Sequence, residues 1–311
     1  MSDQDRKLED YWTLDVDPSS MAGLGPFVIA EHHPAQKTVL RNTPPYWQVD
    51  KLGQRLPYLD EIVIHYIPQR DTQILRLEAG ELDLLDAQVR PSDWTRLEGK
   101  GFQLLDAAPS AQLKFLWFNQ NPGAENLSPY KRNWFANVDF RRAVSQAISR
   151  RAIVETVFQG RAEEAWSLLP SSIRTWHAPS VRKYPYDPAQ ARRLLMEAGF
   201  SWIEEEGRTR LVDSGGHPVQ FEIFCRSDQQ WGRIAAVVQQ DLERLGMEVA
   251  VRQEEFRALI SRVMRNHDYE AAIMGIGFPY EPVEHGNVLF SSAPMHLWNP
   301  GQKSTRDRVG G

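Results

Sequence analysis

The sequence predicts an α/β protein, and three observations carry that expectation. Residues 219–278 alternate strand and helix patterns as β-α-β-α-β. The β-branched and aromatic run Ile62–Ile67 is followed from Asp71 by apolar residues at helical spacing. Asp187-Pro188 and Gly199 bracket a further helix with a good N-cap, a favoured first-turn proline and a stop signal. The length of 311 residues, 41% of them hydrophobic, corresponds at roughly 150 residues per domain to about two domains.

From the N-terminus, residues 1–24 read as a polar, loosely held segment. Phe27–Ala30 and Thr38–Leu40 read as short strands split by a turn at His33-Pro34. Ile62–Ile67 is a third strand. Asp71 is expected to cap a helix carrying Ile74, Leu75, Leu77 and Ala79, stopped by Gly80, and Leu82–Leu85 to form another brief strand. A strand at Leu113–Asn119 is followed by a loop from Gln120 to Asn137. Asp139 is expected to cap a helix through Arg150, with Ala143, Val144, Ala147 and Ile148 on one face, before a second helix over about 151–158.

Within 219–278, Val219–Cys225 is a strand. Asp228 begins a helix, with Ile234, Val237, Val238, Leu242 and Leu245 on one face and Gly246 after it. Met247–Val251 is a strand, Phe256–Met264 a helix and Tyr269–Ile276 a strand. Helical crossovers imply parallel strands, and ligands bind beyond the carboxyl ends of such strands. Three loops would meet there: Arg226–Asp228, Gln253–Glu255 and Gly277–Glu281.

Composition and motifs narrow the function. One cysteine, Cys225, forms no internal disulfide and no cysteine-cluster zinc site. A net charge of −5 argues against a nucleic-acid partner. No apolar run is long enough to cross a membrane, and Met1–Trp12 lacks the basic and apolar regions of a secretory leader. Neither a phosphate-binding glycine loop nor a nucleophile elbow is present. Asp213-Ser214-Gly215-Gly216 echoes a serine-protease nucleophile segment, but a turn before Pro218 explains it better. A hydrolase using Ser214 stands as the rival hypothesis. Glu284-His285 is too small a set for a metal shell, and no cofactor is expected. Trp134, Trp166, Trp176 and Trp298 fall in loop-like sequence and together hint at aromatic cleft walls.

The order of segments resembles the family 5 extracellular solute-binding proteins, the oligopeptide- and dipeptide-binding components of ABC importers. The matching pieces include Gly25-Pro26-Phe27, Arg41-Asn42 with Tyr46-Trp47, Pro57–Ile62, Leu77–Asp83 and Phe118-Asn119. Val138–Val144, Tyr186-Asp187-Pro188 and Leu194-Leu195 with Ala198-Gly199-Phe200 follow. Each is short, and their order along about 25–285 makes the signal specific. The resemblance implies a type II periplasmic binding protein-like fold of two lobes, present here in part. Residues 25–120 would be a partial first lobe, 121–300 the second, and 301–311 a flexible tail.

The resemblance further implies a non-enzyme located in the periplasm or outside the cell, taking a peptide-like solute and delivering it to importer permease subunits. Family members also bind sugars, nickel chelates and haem, and a truncated, non-binding remnant is a further alternative. Peptide-binding members hold the peptide ammonium with an acid in the loop after a Gly-Trp-like strand end. Here that region reads Gly277–Pro282, with Phe278 as the aromatic and Glu281 as the nearest acid. The expected ligand contacts are Arg226, Asp228, Glu254, Phe278, Tyr280 and Glu281, joined by Trp117 and Asn119.

Overall fold

The structure, a computed structural model, describes residues 17, 20–21, 23–43, 45–85, 89–105, 110–278, 286–289, 293 and 296–299. Backbone contacts divide the chain into two compact units, meeting in sequence at Val89 and Arg90.

The first unit holds an antiparallel sheet of β1 (Phe27–His33), β2 (Lys37–Asn42) and β3 (Glu61–His65), in that order. Thr38 and Val39 of the central strand are buried. The Thr38 hydroxyl meets His32 Nδ1 at 2.9 Å and the Tyr66 hydroxyl at 2.7 Å, so its burial leaves no orphaned polar group. Helix α1 (Arg70–Glu78) buries Ile74 and Leu77. Its N-cap is Gln69, and Asp71 lies in the first turn, where a carboxylate favours the helix dipole without capping it. Leu82–Leu85 is not a strand: no described segment pairs with it. Val63 and Ile64, on opposite faces of β3, are both more than two-fifths exposed.

The second unit opens with α2 (Pro91–Glu98), a short helix with proline in its first turn. It is built on a four-stranded sheet of β4 (Gln112–Phe118), β7 (Gln220–Arg226), β8 (Glu248–Glu254) and β9 (Ala271–Gly277). The spatial order is β4-β9-β7-β8. Strands β7, β8 and β9 are parallel, as the crossover pattern predicts, and β4 runs antiparallel to β9. Helix α7 (Gln229–Glu243) makes the first crossover, capped by Asp228, whose side chain accepts the N–H groups of Gln230 and Trp231. The second crossover is α8 (Phe256–Ile260), continued by a π-helical turn over Ser261–Arg265 where the sequence predicts one helix.

The two crossovers cover opposite sheet faces. Ile223 and Cys225 pack with Ile234, Val238 and Leu242 of α7, while Phe224 packs with Leu259 of α8 and with Trp117 and Tyr269. Three further helices close the α7 face: α3 (Pro129–Ala136), α4 (Val138–Ala147) and α6 (Pro188–Glu197). Phe118, Phe135, Phe140 and Phe221 form a buried aromatic set there, with Phe118 stacked on Phe135 at 4.8 Å. Burial of each phenyl group stabilises the unit by about 1.5–3 kcal/mol. Helix α5 (Arg150–Thr156) is capped by Ser149.

Several expectations need correction. The 120–137 segment is not all loop, because Pro129 at the first turn lets α3 form and bury Trp134 and Phe135. Asn137, not Asp139, caps α4 by accepting the N–H groups of Asp139 and Phe140. The carboxylate of Asp139 pairs instead with Arg142 at 2.9 Å. β5 (Ser201–Glu205) and β6 (Arg208–Val212) form a hairpin through Glu206-Gly207. Both turn residues have positive φ, which glycine accepts at the second place. Of the four tryptophans assigned to loops, Trp134 is core, Trp166 lies under Arg150 and Trp298 packs on buried clusters; Trp176 is exposed. They do not form one aromatic wall.

Candidate functional site

The carboxyl end of the parallel strands is the place where topology gathers chemistry in the second unit. Helix α7 leaves β7 on one face and α8 leaves β8 toward the other, so the strand ends open a crevice between them. Arg226 ends β7 and Glu254 ends β8, in register with each other. The Ser227 N–H donates to the Glu254 carbonyl at 2.7 Å, tying the first two predicted loops together.

The charges at this end form two clusters. In the first, Arg226 Nε lies 3.4 Å from Asp228 Oδ2, and its guanidinium lies over Phe256 at 5.4 Å. In the second, Glu254 accepts Arg262 Nε at 2.9 and 3.2 Å, and Arg262 also pairs with Asp268 and covers Phe224. An open groove of about 500 Å³ runs beside the second cluster, lined by Glu222, Phe224, Val251, Arg252, Gln253, Glu254 and Arg262. The groove wall is further set by Arg252 and Glu222, paired across the two strands at 2.7 Å.

The other predicted residues are placed differently. Phe278 follows β9 but is buried with Leu113, Ile173 and Val288, its N–H donating to the Ala111 carbonyl at 2.9 Å. Trp117 and Asn119 stand at the opposite end of the sheet, because β4 runs against β9. Trp117 Nε1 donates to the Tyr269 hydroxyl at 3.1 Å. Asn119 is fully buried, donating to the carbonyls of His267 and Tyr269 at 3.0 and 2.9 Å. Tyr280, Glu281 and the Glu284-His285 pair lie outside the described residues.

Sequence reasoning missed Lys114 and Arg262. Lys114 is the lone charge in the apolar run Leu113–Phe118, a visible anomaly. It pairs in register with Gly275, two residues past the level of Cys225, and so reaches the same end of the sheet as Arg226. Burial pushes its pKa below the ordinary lysine value, and Asp228 partly opposes that shift. Gly275 is small for a local reason: the Trp231 ring lies 3.2 Å from where a Cβ would stand.

Ser214 sits in a turn whose neighbours shape the backbone. Asp213 Oδ1 accepts the N–H groups of Gly215 and His217 at 2.9 Å each. The His217 ring meets the same carboxylate at 3.0 Å and stacks on Tyr130 at 4.3 Å. Among the described residues, no group of three or more His, Cys, Asp or Glu could hold a metal ion. No helix of the described residues is long and apolar enough to cross a membrane.

Comparison with known proteins places this geometry in a lineage. The family model described as bacterial extracellular solute-binding proteins, family 5 Middle, matches residues 4–294. A "Probable ABC transporter-binding protein" of Deinococcus radiodurans is 26% identical over 321 residues, covering 95% of this chain and 52% of that one. The oligopeptide-binding protein AppA of Bacillus subtilis is 27% identical over 258 residues, covering 81% of this chain and 43% of its own length. The AppA structure in complex with a nonapeptide superposes with a TM-score of 0.66 at 23% identity, over 92% of this chain and 53% of AppA. NikA of Brucella suis, in complex with Fe(III)-EDTA, gives a TM-score of 0.70 at 23% identity, over 89% of this chain and 52% of NikA. The chain spans about half the length of the curated relatives it matches. Its fold is therefore part of a type II periplasmic binding protein fold, and the chain belongs to the bacterial extracellular solute-binding proteins of family 5.

Proposed function

We propose that the chain is the solute-recognising portion of an ABC-importer binding protein and takes a peptide-like solute without catalysis. The observation that carries this reading is the distribution of charge at the carboxyl end of the sheet. Arg226 pairs with Asp228, and Lys114, which Asp228 reaches only through space, adds a second cation and leaves a net positive pole. Glu254 and Asp268 surround one guanidinium, Arg262, leaving a net negative pole. A zwitterionic peptide presents charges of both signs, and charge-assisted hydrogen bonds to each end select for it. Arg226, Asp228 and Glu254 are the contacts this reading assigns to the described residues. Tyr280 and Glu281 complete the expected set, and Phe278 backs it from its buried cluster. Family membership supports a periplasmic or extracellular location and importer permease subunits as partners.

The test is a thermal-shift and calorimetric screen of the full chain. Short peptides, a nickel–histidine complex and haem would each be added in excess. A ligand that binds only the folded state raises the melting temperature in proportion to the logarithm of its concentration over Kd. Peptides are expected to raise it. A rise with the chelate or haem alone, or with nothing, overturns the reading.

A further inference from the structure

Lys114 is a half-buried ammonium held by rings rather than by an acid. Its neighbours Leu113, Phe115, Leu116, Trp117 and Phe118 are all apolar. Its register partner Gly275 has no side chain, and the Trp231 indole fills that gap at 3.2 Å. Lys114 Nζ then lies 5.6 Å from the centroid of Trp231 and 5.5 Å from that of Phe158. Two aromatic faces attract a cation but do not neutralise it. No carboxylate among the described residues makes an ion pair with it: Asp228 acts only through space, with Oδ1 capping α7 and Oδ2 directed to Arg226. A charge withdrawn from water ordinarily has a counter-charge. Here the strand supplies the charge and the rings fix its position, and no described residue supplies a counter-charge.

We propose that the Lys114 ammonium, framed by Phe158 and Trp231, receives a carboxylate of the bound solute. The inference rests on the peptide-like reading above, since every unmodified peptide carries a terminal carboxylate. It adds a direction: the carboxyl end lies toward Lys114 and the ammonium end toward Glu254. It also explains why a lysine stands among the apolar residues Leu113–Phe118 of β4. A carboxylate entering the recess would regain the electrostatic energy that burial withholds from the ammonium, so binding would raise the lysine's affinity for its proton.

Two measurements test this, one of them independent of the peptide reading. The full chain is reductively methylated with isotope-labelled methyl groups, which preserves the charge, and the Lys114 resonance is assigned by its loss in Lys114→Gln. Titration with N-acetyl-alanine should shift that resonance, and the neutral N-acetyl-alanine amide should not. An unmoved resonance, or equal movement with both probes, overturns the proposal. In calorimetry, the unmodified wild type should bind tetra-alanine about tenfold more tightly than its C-terminal amide, a gap of one decade in Kd. Lys114→Gln should lose that preference and Lys114→Arg should keep it. If both peptides bind equally, the role of Lys114 is wrong and the peptide reading stands. If neither binds, the peptide reading fails, and the N-acetyl-alanine titration alone decides Lys114.

Discussion

Arg226 and Glu254 end adjacent parallel strands in register, yet neither pairs with the other. Arg226 turns to Asp228 at 3.4 Å and Glu254 to Arg262 at 2.9 Å. The local acid and the local guanidinium satisfy each charge separately, so the strand ends keep both signs available side by side. A single Arg226–Glu254 ion pair would have cancelled them.

Arg226→Ala should therefore separate binding from folding. The side chain is 53% exposed, and an exposed ion pair of this kind is worth about 0–1 kcal/mol. Urea denaturation should show a change within that range. Peptide affinity should fall by about tenfold or more, as for loss of one charge-assisted hydrogen bond. Unchanged affinity in calorimetry would remove Arg226 from the site.

Asn119→Ala should do the reverse. Its amide satisfies the His267 and Tyr269 carbonyls, and its Oδ1 accepts the Asn121 N–H at 3.0 Å. Truncation strands these buried groups at about 1–3 kcal/mol each where water cannot replace the side chain. A loss of roughly 2–4 kcal/mol in urea denaturation is expected, with peptide affinity of the folded fraction preserved. A loss under about 0.5 kcal/mol, the range of an inconsequential surface change, would contradict the assignment.

Asp213 makes a prediction in pH. Its partial burial alone would raise its pKa. The His217 N–H, the Trp134 indole, the His217 ring and the Gly215 N–H together outweigh burial and hold the carboxyl below its ordinary 3.8. A group whose folded pKa is depressed contributes stability that is present above the unfolded value and lost as pH falls through the folded one. Wild type should exceed Asp213→Asn in stability at neutral pH, and the gap should narrow as pH falls below about 3.8. Denaturation curves across that range check it, and a constant gap would refute the assignment.

Cys225 should resist modification while the protein is folded. Burial, and then the nearby Asp228, push its thiol up to about 11, and the thiolate is the reactive form. A maleimide at neutral pH should label the native protein far more slowly than the urea-unfolded chain. Comparable rates would show that the sheet opens around β7.

Much of the second unit was legible because its signals are local. Asp228 and Asp187 cap the helices they precede, through contacts two or three residues away. The β-α-β-α-β pattern of 219–278 is legible because periodicity and crossover geometry constrain it from both sides. Local chemistry also misled. Asp71 and Asp139 have the residue type of caps, but Gln69 and Asn137 stand two residues earlier, at the position where cap geometry is decided. Trp134 lies in loop-like sequence, yet Pro129 opens a helix that contains it and turns it into the core.

The candidate site divides along the same line. The amino-acid sequence by itself determined the parallel strands, the caps Asp187 and Asp228 and the strand-end residues Arg226 and Glu254, since each depends on spacing along a single stretch of chain. Only the tertiary structure decided where β4 lies. Its antiparallel docking on β9 sends Trp117 and Asn119 to the far end and brings Lys114 to the near one, beside Trp231 and Phe158. Strand direction and register are set by long-range backbone pairing, which no local pattern encodes. Reversing one strand exchanges which of its residues meet the site.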